Sequence, residues 1–293
     1  MMSAPVATTA SAQFSFELHA GALRLALRPD LGGAVAGLWH RETPNRRSTE
    51  PVRLADSRSA AMYPLLPYSN RLGYRRFRWR GNDYTTRANV DDSPHSLHGL
   101  GWQRPWRLVS SSALEVVLEL EHSPDADWPF AFVARQYFTL SAESFGVRLQ
   151  FTNRAPAEQP AGLGWHPYFV RRPRSRLHIE LSDRWDADAT LLPTRKIAQP
   201  GIDSDLSHLD YDNCFEGWRG PARIRDERFS LQLASSLPYL VVYTPSERDY
   251  FCVEPVSHVN NAIHMADPAE HGLVALASGA TLEAWMKLDV AVV

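Results

Sequence analysis

Cysteine, unbalanced charge and long hydrophobic runs are all scarce in this sequence, and each scarcity excludes a class of protein. The 293 residues contain only two cysteines, Cys214 and Cys252, which are too few for a disulfide framework and fit a reducing cytoplasm. The formal net charge of -2 gives no electrostatic reason to expect a nucleic acid or an anionic membrane as a partner. No apolar run approaches the roughly 18 residues of a membrane span. We therefore expect a cytoplasmic protein that binds neither nucleic acid nor membrane.

Helical periodicity is also scarce, whereas alternation of apolar and polar residues recurs along the chain. Many short strands separated by turns predict an all-β fold, a sandwich or a barrel. Arg80-Gly81-Asn82 predicts a hairpin turn in which Gly-Asn takes the positive φ. Residues 1–13 predict a disordered tail without features of a signal peptide, and residues 14–293 predict one domain, because no linker divides them. The predicted strands are residues 14–18, 23–27, 74–79, 83–86, 114–120, 133–140, 146–152, 177–181, 229–234, 240–244, 251–254 and 282–290.

The segment 250–255, Tyr-Phe-Cys-Val-Glu-Pro, predicts a strand that ends on a carboxylate and is stopped by a proline. Alternation along a strand places Tyr250, Cys252 and Glu254 on one face. Neither face is plainly polar, so Glu254 must be paired, held in a cleft or shifted in pKa, as a general base is. The alternative is a solvated carboxylate at the end of a strand.

Two loops carry candidate ligand-binding groups. Asn70 and Arg71 follow a proline-containing segment and can present amide and guanidinium donors to a hydroxyl-rich ligand, although a surface turn is the simpler interpretation. His95 and His98 have a loose metal-ligand spacing, but no nearby cysteine or carboxylate supplies a third ligand. Trp102, in the same loop, offers an apolar platform for a sugar face.

Two further segments combine a titratable residue with aromatic neighbours. His166 lies between Trp165 and a proline followed by two aromatics, which suits proton transfer near neutral pH or, alternatively, a packed core histidine. Asp212 precedes Asn213, Cys214 and Phe215, where an ionised carboxylate can accept hydrogen bonds from hydroxyls or simply belong to a polar turn. The arginine-containing stretches 41–59 and 171–176 predict exposed loops.

Together, and in this order, these motifs resemble the aldose 1-epimerases, also called galactose mutarotases. The resemblance extends from about residue 14 to the C-terminus. It implies a large antiparallel β-sandwich, the galactose mutarotase-like supersandwich, with a sugar in an open cleft on one sheet and with no cofactor and no metal. The motifs are Asn70-Arg71, Leu97-His98-Gly99, Trp165-His166-Pro167-Tyr168-Phe169, Asp212-Asn213-Cys214-Phe215, Cys252-Val253-Glu254-Pro255 and Asn260-Asn261-Ala262.

The resemblance also implies a role for each matching residue. Glu254 matches the general base that removes the proton of the anomeric hydroxyl, and His166 matches the general acid that protonates the ring oxygen. Arg71 and His98 match the residues that hydrogen-bond the ring oxygen and neighbouring hydroxyls. Asp212 matches the carboxylate that holds sugar hydroxyls, and the match of Asn70 is weaker. The implied reaction is the interconversion of the α and β anomers of a free aldose such as galactose or glucose.

Three alternatives remain open at this point. A hexose-6-phosphate mutarotase has the same fold but needs a cationic phosphate pocket, which Arg75, Arg76, Arg171, Arg172 or Arg174 would have to supply. A non-catalytic carbohydrate-binding protein would use the tryptophans as platforms and would not need both Glu254 and His166. A metal-dependent enzyme would use His95, His98 and His166. A monomer and a homodimer are both compatible with the sequence.

Overall fold

The computed structural model describes residues 15–293, and the tail predicted at residues 1–13 lies outside the described residues. The prediction of an all-β fold is confirmed, because the chain consists of strands joined by loops and short 3₁₀ turns. The first nine strands are β1 (Phe16–Ala20), β2 (Leu23–Arg28), β3 (Ala34–His40), β4 (Thr43–Pro44), β5 (Pro64–Leu65), β6 (Arg71–Leu72), β7 (Arg76–Trp79), β8 (Asn82–Thr85) and β9 (Ser96–Leu97).

Eighteen further strands complete the described chain. The first ten of these are β10 (Arg107–Ser111), β11 (Glu115–His122), β12 (Phe132–Leu140), β13 (Ser144–Asn153), β14 (Gln159–Ala161), β15 (Gly164–Trp165), β16 (Tyr168–Val170), β17 (Arg176–Glu180), β18 (Asp183–Ala187) and β19 (Pro193–Ala198). The last eight are β20 (Ile202–Asp205), β21 (Asp212–Glu216), β22 (Arg219–Arg225), β23 (Phe229–Ser235), β24 (Tyr239–Tyr243), β25 (Tyr250–Val256), β26 (Val274–Leu276) and β27 (Thr281–Val292). The 3₁₀ turns are Pro51–Arg53, Ser57–Ser59, Gly73–Arg75, Leu206–His208 and Ala262–His264.

Two large antiparallel sheets form the body of the molecule. The nine-stranded sheet has the order β10-β11-β12-β13-β27-β23-β22-β17-β20. The eight-stranded sheet has the order β19-β18-β21-β24-β25-β15-β5, and β16 also pairs with β25. In β12 and β13 buried residues alternate with more exposed ones, which is the pattern of strands with one face on a core. The sheets therefore pack as a sandwich.

The eight-stranded sheet is covered on both of its faces. Phe251 and Val253 of β25 join the main core between the two large sheets. Cys252 and Val256, on the other face of β25, join a second cluster with Tyr63, Trp102 and Tyr168. Glu254 shares this second face because its side chain alternates with Val253. The N-terminal strands and loops thus build walls around the face that carries Glu254.

Strand β25 does not stop at the proline, contrary to the sequence prediction. It continues through Pro255 to Val256, and its residues 252–256 pair with β24. On its other side β16 pairs with residues 250–252 and β15 pairs only with Val256. The neighbouring chain leaves the ladder between these points, at His166 and Pro167. A proline, which has no N–H to donate, is tolerated where a ladder is interrupted.

Three other expectations need correction. In the β7–β8 hairpin Arg80 and Gly81 take the positive φ values, 46° and 85°, and Asn82 already begins β8. The stretch 41–59 is not an exposed loop throughout, because Arg46 is completely buried. Strands β18 to β22 were not predicted, since several of them are largely polar and half-exposed. No helix in residues 15–293 is long and apolar enough to cross a membrane.

Candidate active site

An open cleft of about 310 Å³ lies over the second face of the eight-stranded sheet, and it brings together all six residues selected from the sequence. Three other lining residues, Leu97, Leu191 and Tyr243, were not anticipated. Leu97 is signalled only by its position beside His98 and Tyr243 only by its position in strand β24, whereas Leu191 lies in the loop between β18 and β19 without a signal in the sequence. The six selected residues are Asn70, Arg71, His98, His166, Asp212 and Glu254.

Sheet register explains how distant residues reach the same cleft. Asp212 of β21 lies opposite Tyr243 of β24, and Tyr243 lies opposite Cys252 of β25. Glu254 is two residues beyond Cys252 and therefore projects from the same face of β25. The floor of the cleft is thus a set of neighbouring positions on three paired strands.

Glu254 and His166 are in direct contact in the cleft. Oε1 of Glu254 lies 3.4 Å from Nε2 of His166, and the two residues are 2% and 8% exposed. Burial, and then the negative charge of Asp212, hold the pKa of Glu254 well above its usual value, while Arg71 opposes this shift. Burial, with a smaller effect of Arg47, lowers the pKa of His166 to about 3. Removal from water therefore disfavours the charged form of each partner.

The His166 ring is held in place by aromatic neighbours. It stacks on Tyr168 with 4.4 Å between ring centroids and packs against Tyr63 at 4.9 Å. The guanidinium of Arg47 covers the Tyr168 ring at 3.9 Å. Trp102 packs behind Tyr63 and is only 5% exposed, so it supports this stack rather than offering a sugar platform.

Asn70 and His98 are locked together in left-handed backbone conformations, with φ of 55° and 63°. The Asn70 N–H donates to Nδ1 of His98 at 3.1 Å, and the His98 N–H donates to the Asn70 carbonyl at 2.8 Å. Since Nδ1 accepts a hydrogen bond, the proton of the neutral ring sits on Nε2. Burial, and then the charges of His166 and Arg71, hold the pKa of His98 well below its usual value. His98 is therefore a neutral hydrogen-bond donor.

Arg71 and Asp212 form the opposite-charge pair of the cleft. Their closest atoms, Nη2 and Oδ2, are 3.8 Å apart. Arg71 also donates to Oδ1 of Asn70 at 3.1 Å, which orients the guanidinium. Burial raises the pKa of Asp212 and Arg71 lowers it, with burial the larger effect. Both side chains remain partly exposed, so they can bind hydroxyls of a ligand.

His95, His98 and His166 do not come together as the metal site considered from the sequence. Nδ1 of His95 accepts from the Tyr74 N–H at 2.9 Å, and its Nε2 lies 3.1 Å from the Thr190 carbonyl. Both ring nitrogens are therefore engaged, and His95 links the segment at Tyr74 to the loop that carries Leu191. In residues 15–293 the candidate metal ligands that do meet are His166, Cys252 and Glu254.

The arginines considered for a phosphate pocket do not line the cleft. Arg172 pairs with Asp226 at 2.8 Å, and Arg171 donates to the Thr244 carbonyl at 3.1 Å. Arg71 is the only cationic residue in the lining, and it already faces Asp212.

A larger groove of about 580 Å³ lies on the outer face of the nine-stranded sheet. Gly146 has no side chain to fill the floor of this groove, and the exposed Trp285 forms part of its wall. Its lining contains no histidine and no buried carboxylate, so it lacks the groups for acid–base chemistry. The smaller cleft is therefore the candidate active site.

Comparisons with known proteins agree over almost the whole chain. A family model described as aldose 1-epimerase matches residues 15–289. The uncharacterized protein YphB of Escherichia coli K12 is 31% identical over 292 residues, which span 94% of this chain and 98% of that protein. The crystal structure of a candidate aldose 1-epimerase from the same organism is 30% identical, with a TM-score of 0.85 and coverage of 95% of this chain and 99% of that one. A galactose mutarotase-like protein from Clostridium acetobutylicum shares the fold at 17% identity, with a TM-score of 0.81 and coverage of 95% of each chain.

Proposed function

This chain belongs to the aldose 1-epimerase family, and we propose that it is an isomerase that interconverts the α and β anomers of a free aldose such as galactose or glucose. The observation that carries the proposal is the buried contact between Glu254 and His166 in a cleft lined by hydrogen-bonding side chains. Such a pair supplies an acid and a base within reach of one small ligand.

The reaction needs two proton transfers and no change in oxidation state. A base takes the proton of the anomeric hydroxyl while an acid protonates the ring oxygen, and the C1–O5 bond opens to give the free aldehyde. Rotation about the C1–C2 bond and closure on the other face of the carbonyl give the other anomer, with the two groups exchanging roles. The sum of these steps consumes neither electrons nor a transferred group, so this chemistry does not require a cofactor.

The pKa directions fit a pair that holds one proton. Burial raises the pKa of Glu254 and lowers that of His166, so the uncharged forms are favoured in the empty cleft, with the proton on the carboxyl. Transfer of that proton across the 3.4 Å contact gives a carboxylate and an imidazolium. Sugar hydroxyls that donate to the carboxylate favour this form. Glu254 then acts as the base and His166 as the acid.

The other cleft residues suit the remaining hydroxyls of the sugar. His98 donates through its Nε2–H, and Arg71 donates through its guanidinium. Asp212 accepts hydrogen bonds from hydroxyls, and Asn70 fixes the positions of Arg71 and His98. These residues offer both donors and acceptors, which is what a ring of hydroxyl groups requires.

Two observations favour a free aldose and a catalytic role over the alternatives. A phosphorylated sugar would need an uncommitted cation in the cleft, and the only one in the lining, Arg71, faces Asp212. A protein that only binds sugar would have no need for a buried carboxylate held against a buried imidazole, because burying such groups costs free energy. These observations support a mutarotase that acts on unphosphorylated sugars.

The proposal is tested by following anomer exchange by polarimetry or NMR on freshly dissolved α-D-galactose, α-D-glucose and glucose 6-phosphate. We expect the protein to accelerate exchange of a free hexose and to leave glucose 6-phosphate near its spontaneous rate. Acceleration of glucose 6-phosphate alone would contradict the preference for unphosphorylated sugar. Binding of a hexose without any change in its exchange rate would contradict the catalytic role.

A further inference from the structure

Three side chains with different metal-binding atoms meet at the base of the cleft. A ring nitrogen of His166, Sγ of Cys252 and a carboxylate oxygen of Glu254 all lie within 4.8 Å of one another, and all three residues are buried. Cys252 and Glu254 project from the same face of β25, and β16, which pairs Tyr168 with Cys252, delivers His166 beside them. Cys252 has no part in the acid–base chemistry described above.

We propose that these three side chains form a binding site for a divalent zinc-type ion, and that the ion inhibits the enzyme. An imidazole nitrogen, a thiolate sulfur and a carboxylate oxygen are all ordinary zinc ligands. Two ligands placed about 2.0–2.1 Å from a tetrahedral ion are roughly 3.3 Å apart. The separation of 3.4 Å between His166 and Glu254 matches this value. A fourth position stays open toward the cleft that His166 and Glu254 line.

The polar groups around the site are incompletely satisfied within residues 15–293. Oε2 of Glu254 is buried and has no hydrogen-bond partner there, and an ion bound by both carboxylate oxygens would satisfy it. A buried polar atom without a partner costs free energy that a ligand can recover. A dication also neutralises one carboxylate and one thiolate, so the occupied site has no net charge. A buried site without net charge avoids the cost of burying an uncompensated ion. The donor set and the charge balance therefore both favour a divalent ion over a monovalent one.

Inhibition follows from which residues the ion occupies, and this part of the inference rests on the proposed function. A bound ion holds the lone pair of His166 and the carboxylate of Glu254, so neither can move a proton. The ion also fills the base of the cleft and excludes the anomeric carbon of the sugar. Binding of the ion, in contrast, does not depend on whether the protein is a mutarotase.

The direct test is calorimetric titration of the full chain with Zn²⁺, together with the absorption spectrum after titration with Co²⁺. Cys252→Ser removes the sulfur ligand, and Cys214→Ser is the matched control, because Cys214 is another free and buried cysteine of the same sheet. We expect one Zn²⁺ per wild-type chain, a thiolate-to-cobalt absorption band, and unchanged behaviour of Cys214→Ser. Cys252→Ser should lose the band and bind Zn²⁺ at least about 100-fold more weakly. Loss of a side chain that hydrogen-bonds a metal ligand costs up to about 100-fold in affinity, and loss of the ligand itself should cost at least as much. Equal affinity of wild type and Cys252→Ser, or no binding by the wild type, would overturn the site.

The activity test separates this inference from the proposed function. Each variant is compared with itself, with and without Zn²⁺, and a chelator is then added. We expect Zn²⁺ to slow anomer exchange by the wild type and by Cys214→Ser, and the chelator to restore it, while Cys252→Ser keeps its rate. Zinc binding by a chain without exchange activity would retain the metal site and reject the function. Exchange activity that one equivalent of bound Zn²⁺ leaves unchanged would reject the inhibition and retain the function.

Discussion

Nε2 of His166 lies 3.4 Å from Oε1 of Glu254 in a position that is almost closed to solvent. Burial shifts the two pKa values in opposite directions, so the one proton of the pair rests on the Glu254 carboxyl rather than on the imidazole. A pair that holds one proton contains an acid and a base at the same time. This is the requirement for opening and closing a sugar ring without a cofactor.

Replacement of Asp212 by asparagine should change both sugar binding and the pH profile. The Asp212 charge contributes to the raised pKa of Glu254. Its removal lowers that pKa, so the acid limb of the kcat/KM profile should move to lower pH. Loss of the acceptor carboxylate should also raise KM roughly tenfold. An unchanged acid limb, measured by exchange kinetics from pH 4 to 8, would show that Asp212 does not act on the catalytic pair.

Replacement of His98 and of His95 by glutamine should distinguish a histidine that binds the sugar from one that stabilises the fold. His98 donates a hydrogen bond into the cleft, so His98→Gln should lower kcat/KM roughly tenfold. His95 joins Tyr74 to the loop at Thr190, so His95→Gln should lower the free energy of unfolding by about 1 kcal/mol, with a smaller effect on kcat. Steady-state kinetics and urea unfolding of both variants measure the two effects. The reverse pattern would contradict these assignments.

The sequence predicted the cleft better than it predicted the strands that form it. The strand as far as Glu254, the hairpin of β12 and β13, and the six selected residues follow from alternation and from motif order, whereas the continuation through Pro255 to Val256 does not. Strand β21 was not predicted, because Asp212 and Asn213 are poor strand formers that the register with β24 overrides. His95 and His98 have the same side chain three residues apart, and only the structure shows that His95 is held by Thr190 while His98 lines the cleft.

The buried Arg46 is a second residue whose environment the sequence does not predict. A stretch rich in arginine and proline indicates a surface loop, and yet this guanidinium lies between the rings of Phe145 and Phe169 at 5.1 and 5.5 Å. Its Nη1 donates a hydrogen bond to the sulfur of Met62, at 3.2 Å. Composition alone does not reveal that a charged residue points inward, because the tertiary fold decides it.

Arg46→Met should therefore stabilise the protein. Burial lowers the pKa of Arg46 to about 9, below its ordinary 12.5, so the charged form costs folding free energy below pH 9. That cost declines as the pH rises from 9 to 12.5. A methionine of similar length should raise the free energy of unfolding at pH 7 by about 1–4 kcal/mol. Urea denaturation measures this value, and a lower stability of the variant would mean that the guanidinium has an energetically important partner.

His258→Gln should reduce the sensitivity of the fold to acid. Nε2 of His258 accepts from the Ser69 N–H at 3.1 Å, and burial lowers the pKa of His258 to about 4. The unfolded histidine titrates near 6.5, so the unfolded state binds more protons between pH 6.5 and 4 and stability falls as the pH falls through this window. The loss from this residue amounts to about 3 kcal/mol. Denaturation at pH 7 and pH 4 should show a smaller difference for the variant than for the wild type, and parallel curves would refute the assignment.

The role of the Glu254–His166 pair is tested most directly by NMR exchange spectroscopy of a free hexose with Glu254→Gln, His166→Asn and the double variant. Each single variant should slow exchange by about 10²–10⁴-fold while the circular dichroism spectrum and the unfolding midpoint stay near those of the wild type. Because the two residues act as one unit, the double variant should lose little more than the more severe single variant. Wild-type exchange rates in both folded single variants would contradict the account.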